Sequence, residues 1–406
     1  MNILFFNHGD ITSVPGSGIQ RVTHNLSMQF IKEEGIKCYL AFYARSTEIL
    51  NTVFTDKIQL NNGEEDVEPL SDFIVKHKID FVIFQHVLVD EALGRVRRSV
   101  DKAKNCKIIY CIHTSPVSSL TKPSIQAEFF RLVRGITVKI SIKRIITGLL
   151  PRFVYNFYAK RHTQKRFSQY NKYSDKIVLL SEHQINEYCE ISGIPFEMRN
   201  KITAIPNPLT FDKDIPVEFD KKQNEVLVVS RLSERHKRIT YILKIWREFQ
   251  KKYEGYNYRL VLVGSGEDER YVKNTNNINI LMREGKNVSF EGSQDPTEYY
   301  KRASIFMMTS NCEGFPMTLL EAQQTGVVPV VFDSFSAVRD VIEDHYNGLL
   351  VEHKNFTQFA DSLAFLMQYP EERKRMAANA MQSCKKFSPE NVVKKWINLF
   401  EELQRQ

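Results

Sequence analysis

The sequence predicts an α/β protein of two successive Rossmann-like, doubly wound domains, each a parallel sheet with crossover helices. Three observations predict it. Short apolar runs alternate with helix-length segments in two separate series, a polar stretch without apolar periodicity divides them, and 406 residues exceed what one ordinary core accommodates.

The first series opens at residues 2–6 (NILFF), which read as a buried strand. Turn residues HGDITSVPGSG follow, and IQRVTHNLSMQFIKEEG reads as a helix closed by Gly35. The run from Cys38 to Tyr43 is strand-like, as are FVIF at 81–84, KIIYCIH at 107–113 and KIVLLS at 176–181, with helical stretches between them. The dividing stretch, IPNPLTFDKDIPVEFDKKQN at 205–224, is rich in Pro, Asp, Asn and Lys. Beyond it, strands are expected at 226–230, 259–264, 288–292, 305–310 and 328–333. At the end, Ser388 precedes Pro389 and Glu390, and Val392, Val393, Trp396, Leu399, Phe400 and Leu403 follow at helical spacing, the signature of a capped amphipathic helix. The expected domains are 1–208 and 209–385, with 386–406 as a terminal helix. Two such domains imply a cleft toward which the C-terminal strand ends point.

Composition narrows the function classes. The chain is 42% hydrophobic and 26% charged, as a globular protein is. Its opening MNILFFNHGD lacks the basic n-region and cleavage site of a signal peptide, so a cytoplasmic protein is expected. Six scattered cysteines suggest neither a disulfide framework nor a zinc site.

The net charge of +8 is uneven, because residues 131–166 hold ten Lys or Arg and no acid. Isoleucines, leucines and aromatic residues are interleaved with them, and the charges interrupt the block too often for a membrane-spanning helix. An anionic membrane surface, a plain solvated face and a polyanion groove all remain open readings. Membrane contact is the favoured one, although the basic residues from Lys139 to Arg144 do not gather on one clean helical face. Nucleic acid is not expected as a partner.

Two glutamates flank a turn in NCEGFPMTLLEAQQTG, residues 311–326. Pro316 fits the first turn of a helix and no later one, so the helix is expected to run from near Pro316 to Gly326. Glu313 then lies in the preceding loop and Glu321 on the second turn. The N–H groups of Met317, Thr318 and Leu319 are expected to point from the helix start, where the dipole favours a phosphate. Glu321, one turn further in, suits the vicinal diol of a ribose. Directly after another expected strand, SRLSERHKR at 230–238 places Arg231 and Lys237 six apart, two cations able to neutralise a departing diphosphate. Each feature alone is also what a helix start or a solvated basic loop shows.

Together they resemble the retaining glycosyltransferases of family four, which have the GT-B fold. Glu313-Gly314-Phe315, with Glu321 after seven intervening residues, matches that family's paired-glutamate motif. Ser230-Arg231-Leu232 with Lys237, then VLVGSGEDE at 261–269, VSFEGSQDPTEYYKRASIFMMTS and YNGLLV at 346–351 follow in the family's order and spacing. The first half is similar more weakly, through PGSGIQRVTHNL at 15–26, His113 and IPNPLTF. Departures are Gln20 at a usual glutamate, Pro316 at a frequent glycine, and Ser336 and Ala337 at paired glycines.

What the resemblance implies is specific. A sugar is expected to pass from a nucleotide diphosphate sugar, UDP-linked, to a saccharide or lipid-linked saccharide, with retained configuration and no resident cofactor or metal, in bacterial surface polysaccharide synthesis; the acid-free basic block adds the expectation of a lipid-linked acceptor at the inner face of the membrane. Catalytic roles fall to Glu313, His113, Arg231 and Lys237. Donor binding falls to Glu321, Gly16, Gly18, Gly314, Phe315, Met317, Thr318, Leu319, Ser293 and Gln294, and the terminal helix is expected to return to the first domain. The competing readings are a GT-B sugar-nucleotide epimerase and a non-catalytic polyanion-binding protein.

Overall fold

The computed structural model describes residues 1–405 except 12–17, 45–52, 86–89, 105, 134–137, 212–214 and 270–286. The chain divides into two compact units. One comprises Met1–Pro116, Arg161–Pro208 and Phe387–Gln406, the other Val117–Lys160 and Leu209–Lys386. Residues 117–160 therefore pack with the second unit, a division that a single boundary at 208 does not capture.

In chain order, the first unit builds β1 (Asn2–Gly9), α1 (Gly18–Phe30), β2 (Lys37–Ala44), β3 (Lys57–Gln59), α2 (Val67–Lys76), β4 (Phe81–Phe84), α3 (Asp90–Ala103) and β5 (Lys107–Cys111). Then come α4 (Ile125–Val133), α5 (Val138–Leu149) and the start of α6 (Arg152–Tyr173), which group with the second unit. The chain completes the first sheet with β6 (Lys176–Leu179), α7 (His183–Ser192) and β7 (Ile202–Ala204). That sheet is parallel, in the order β3-β2-β1-β4-β5-β6-β7. Strands β1, β4, β5 and β6 read as continuous apolar runs because helices cover both faces.

The second unit comprises β8 (Gln223–Val229), α8 (Ile239–Lys252), β9 (Arg259–Val263), β10 (Val288–Gly292), α9 (Thr297–Arg302), β11 (Ala303–Met308), α10 (Met317–Gln324), β12 (Val328–Asp333), α11 (Val338–Val341), β13 (Leu349–Glu352), α12 (Phe356–Gln368) and α13 (Pro370–Cys384). Its parallel sheet runs β10-β9-β8-β11-β12-β13. Trp246, Phe249, Ile305, Phe332 and Phe359 fill its core at no more than 1% exposure.

The last helix, α14 (Pro389–Gln404), belongs to the first unit. Ser388 caps it by accepting from the Asn391 N–H at 3.3 Å, with Pro389 in the first turn. Its apolar face meets α1 and β4, with Trp396 and Phe400 at 6.3 and 5.7 Å from Phe30 and Phe400 stacked 4.7 Å from Phe81. The return to the first domain is thus observed.

In each sheet the strand order reverses direction at one point, between β1 and β4 in the first unit and between β8 and β11 in the second. Loops leaving the C-terminal ends of such neighbours diverge to opposite faces and leave a crevice where ligands bind in open α/β sheets.

Candidate active site at the second switch point

Strands β8 and β11 pair directly, which brings the loop after Val229 against the loop after Met308. Backbone bonds stitch them, because the Asn311 N–H donates to the His236 carbonyl at 2.7 Å and the Thr309 hydroxyl to the Lys237 carbonyl at 3.0 Å. The result brings Lys237 Nζ within 2.5 Å of Glu313 Oε1, with the two side chains 21% and 12% exposed. Eight and five residues past their strands, Lys237 and Glu313 meet because the strands are neighbours. Arg231, on the same loop, is exposed.

A third loop fixes the first. After β9, Gly264 adopts φ +137°, and a Cβ there would lie 2.0 Å from the Ser230 carbonyl oxygen. A Cβ on Gly266 would lie 2.5 Å from the Leu232 carbonyl oxygen. Both glycines therefore permit backbone contact, seen in the Ser230 N–H bonded to Val263 and the Leu232 N–H to Ser265, each at 3.0 Å. Asp268 Oδ2 accepts from the Glu234 N–H at 2.7 Å, and Glu234 in turn accepts from the Thr240 N–H at 3.1 Å at the start of α8. Ser293 and Gln294 follow β10 at the same sheet edge, exposed, just past the Gly292 carbonyl that accepts from the Gly264 N–H at 2.6 Å.

The electrostatics favour an anion. Arg231, Arg235, Lys237 and Arg238 crowd one loop, whose single acid, Glu234, is buried and held by Thr240. Burial, reinforced by Arg235, Arg231 and Lys237, pushes the His236 imidazole down to about 4, so it is neutral at pH 7 and adds no charge. Its Nδ1 lies 3.3 Å from Cys312 Sγ.

The helix after this loop matches the expectation in extent. Pro316 precedes α10, and Gly326 beyond its end has φ +66°. Its amides require a correction. The Met317 N–H bonds the Phe315 carbonyl and the Leu319 N–H the Pro316 carbonyl, each at 3.0 Å, so these two amides close the helix's own first turn. Thr318 is the one of the three outside those turn bonds. Gly314 and Phe315 are buried beneath the turn. Glu321 is 3% exposed, and Oε2 accepts from the Tyr300 hydroxyl at 2.9 Å.

Of the residues expected in the first half, Gly16 lies outside the described residues. Gly18 opens α1, and a Cβ there would meet nothing within 4 Å, so the protein's own packing does not demand glycine. Gln20, which replaces the family's glutamate, donates to the Asp10 carbonyl at 3.1 Å and braces the end of β1. His113 follows β5, with its imidazole pushed down to about 4 by burial and its Nε2 without a hydrogen-bond partner among the described residues. Neutral at pH 7, it suits a hydroxyl rather than a phosphate.

Among the described residues no group of three His, Cys, Asp or Glu is placed to hold a metal. The sequence does contain one Asp-x-Asp triplet, Asp212-Lys213-Asp214, which lies outside the described residues. Sequence reasoning also passed over Arg235, His236, Asp268 and Tyr300. All four lie inside the quoted runs SERHKR, VLVGSGEDE and VSFEGSQDPTEYYKRASIFMMTS, but nothing local singled them out within those runs.

Comparison with known proteins bears on this geometry. Residues 211–383 match the model of the glycosyl transferases group 1. An uncharacterized glycosyltransferase of Haemophilus influenzae is 27% identical over 297 residues, spanning 70% of this chain and 78% of that protein. A Campylobacter jejuni α-1,4-N-acetyl-D-galactosaminyltransferase is 27% identical over 206 residues, 50% of this chain and 55% of its own, and its name gives a diNAcBac-PP-undecaprenol-linked saccharide as acceptor. In fold, Anabaena Alr3699/HepE, solved in complex with UDP, superposes with a TM-score of 0.70 at 15% identity, over 99% of this chain and 100% of that one. The two sheet topologies and this likeness establish the GT-B fold class. The family model is seated on the unit that carries Lys237 and Glu313, and with a glycosyltransferase similar over most of its length, the chain resembles the glycosyl transferases group 1 through residues 211–383.

Proposed function

We propose that this protein transfers a sugar from a nucleotide diphosphate sugar, UDP-linked, to a saccharide or lipid-linked saccharide in the synthesis of a bacterial surface polysaccharide. The observation that carries this reading is the Lys237–Glu313 pair at the switch point, preformed, partly buried and set in a loop of cations. A diphosphate entering there competes with Glu313 for Lys237. Once displaced, the Glu313 carboxylate accepts from sugar hydroxyls and faces the positive charge that develops on the ring. Arg231 offers a forked contact and Lys237 a point charge to the departing diphosphate. Glu321, oriented by Tyr300, takes the ribose, and the backbone at Ser293 and Gln294 the base.

The reaction retains configuration, with the acceptor attacking on the face the diphosphate leaves and the diphosphate taking the acceptor's proton. It uses no metal, because the cation-rich loop supplies the charge that a metal would. The UDP of the Anabaena structure and the undecaprenol-linked acceptor of the Campylobacter relative support donor class and acceptor class respectively. A lipid-linked acceptor puts the enzyme at the inner face of the cell membrane. The glycosyltransferases among the relatives favour transfer over the epimerase and polyanion-binding readings.

The test is a panel of nucleotide sugars scored by thermal shift and by turnover. One nucleotide sugar should stabilise the protein and be consumed only when an acceptor is added. Conversion of donor alone to an isomeric nucleotide sugar would replace transfer with epimerisation.

A further inference from the structure

The acid-free block resolves into two populations once it is folded. Arg131 is 4% exposed and spent inside the second unit, where its guanidinium bonds Asp268 Oδ1 at 2.8 and 2.6 Å and Glu128 Oε1 at 2.9 Å. Arg144 joins Glu128 at 3.2 Å. The remaining helix surface is inverted relative to an ordinary core helix. On α5 the buried positions are the small Ser141 and Gly148, while Val138, Ile142, Ile146 and Leu149 stand exposed at helical spacing. Lys139 and Lys143 border that stripe and are exposed too.

The pattern repeats on either side. Val133 at the end of α4 is 70% exposed, and Phe153 and Phe157 on the first turns of α6 are 76% and 69% exposed, beside Lys160 and Arg161. Exposed large apolar side chains thus recur on three successive helices, and large exposed apolar faces on soluble proteins mark interaction surfaces. From Phe129 to Ser174 the sequence has no Asp or Glu, so an acidic repulsion that would keep such a face off anionic lipid is missing along its whole length. No described helix is long and apolar enough to cross a membrane.

We infer that the outward faces of α4, α5 and the first turns of α6 form one docking surface for an anionic lipid bilayer, with Ile142, Ile146, Leu149, Phe153 and Phe157 entering the acyl boundary and Lys139, Lys143, Lys160 and Arg161 pairing with headgroups. An amphipathic helix lying in the interface has this division of apolar ridge and flanking cations. The inference rests on the lipid-linked-acceptor reading and deepens it. Because Arg131 ties α4 to Asp268, and Asp268 holds the Glu234 amide, the docked segment as far as Lys160 and the cation loop are parts of one packed unit. Docking therefore holds the donor site at a fixed height above the membrane.

Flotation with vesicles of phosphatidylcholine containing a third phosphatidylglycerol tests it, using the full chain. Wild type should float with the vesicles, and Lys139→Gln/Lys143→Gln/Lys160→Gln/Arg161→Gln should bind about a hundredfold or more weakly, at roughly fivefold per charge. Ile142→Ser/Ile146→Ser/Phe153→Ser/Phe157→Ser should lose binding at any salt concentration. Both variants should keep wild-type thermal shifts with the nucleotide sugar, which separates docking from misfolding. Unchanged flotation of both variants, or a concentration-dependent dimer that the serine variant abolishes while wild type ignores vesicles, overturns the proposal. Vesicle binding without any nucleotide-sugar turnover would instead leave the docking surface standing and remove the transferase reading.

Discussion

Replacing Arg131 with Met is the sharpest structural perturbation this fold offers. The guanidinium holds Asp268, whose side chain is 0% exposed, and Glu128, whose side chain is 2% exposed. Glu128 keeps Arg144 at 3.2 Å after the change, but among the described residues Asp268 keeps only the Glu234 amide at 2.7 Å. One buried carboxylate thus loses its counter-ion, which costs about 3–5 kcal/mol. For a unit of this size each kcal/mol lowers Tm by about 2–4 °C, so a drop of roughly 10 °C is expected. The chain's two tryptophans report separately, since Trp246 lies in the second core and Trp396 in the first. Thermal unfolding followed by fluorescence in a Trp396→Phe background reads the second unit alone. Adding Asp268→Asn should recover most of the loss, because a neutral amide needs no counter-ion. A Tm change below about 2 °C, or a double variant no more stable than Arg131→Met, would refute the buried-pair account.

Two further outcomes follow from the same loops. Gly264→Ala puts a Cβ 2.0 Å from the Ser230 carbonyl at φ +137°, so the Ser230–Leu232 backbone must move. We expect about 1–3 kcal/mol of strain and a tenfold or greater loss of nucleotide-sugar affinity by titration calorimetry; unchanged affinity would detach this loop from donor binding. His236 is held down to about 4 in the folded protein against an ordinary value near 6.5, so the unfolded chain takes up a proton first as pH falls. Its contribution is present in full above about pH 6.5 and is lost as pH drops from there to about 4, at most about 3 kcal/mol. Urea midpoints at pH 7 and pH 4.5 should therefore differ less in His236→Gln than in wild type, and an equal difference contradicts the assignment.

The sheets were legible because every long strand is a short apolar run bounded by turn residues, and parallel strands buried on both faces write that pattern plainly. β3, β7 and β13 were not, because three or four residues at a sheet's margin carry no such run. Pro316 and Gly326 marked α10 to within a residue or two at each end, since one sets φ and the other takes the left-handed turn. Arg231, Lys237 and Glu313 were legible as motif members, but their meeting depends on β8 lying beside β11, which no local pattern states. The same holds for Tyr300 with Glu321 and for Arg131 with Asp268, pairs separated by 21 and 137 positions.

The basic block shows why composition alone misleads. Counting from residue 131 excluded Glu128, the carboxylate that takes Arg131 and Arg144 inward. Nor does helical periodicity say which face turns inward. On α5 the small residues do, and the larger apolar side chains along Val138, Ile142, Ile146 and Leu149 face out.

The central claim is that a nucleotide sugar binds where Lys237 and Glu313 pair. Sugar transfer to acceptor, measured with the nucleotide sugar that most stabilises wild type, tests it in Glu313→Ala alongside thermal shifts with the nucleoside diphosphate alone. Transfer should fall by at least a thousandfold while the nucleoside diphosphate still stabilises the variant, because Lys237 loses its internal competitor and keeps its charge. Near-normal transfer by Glu313→Ala would contradict the account.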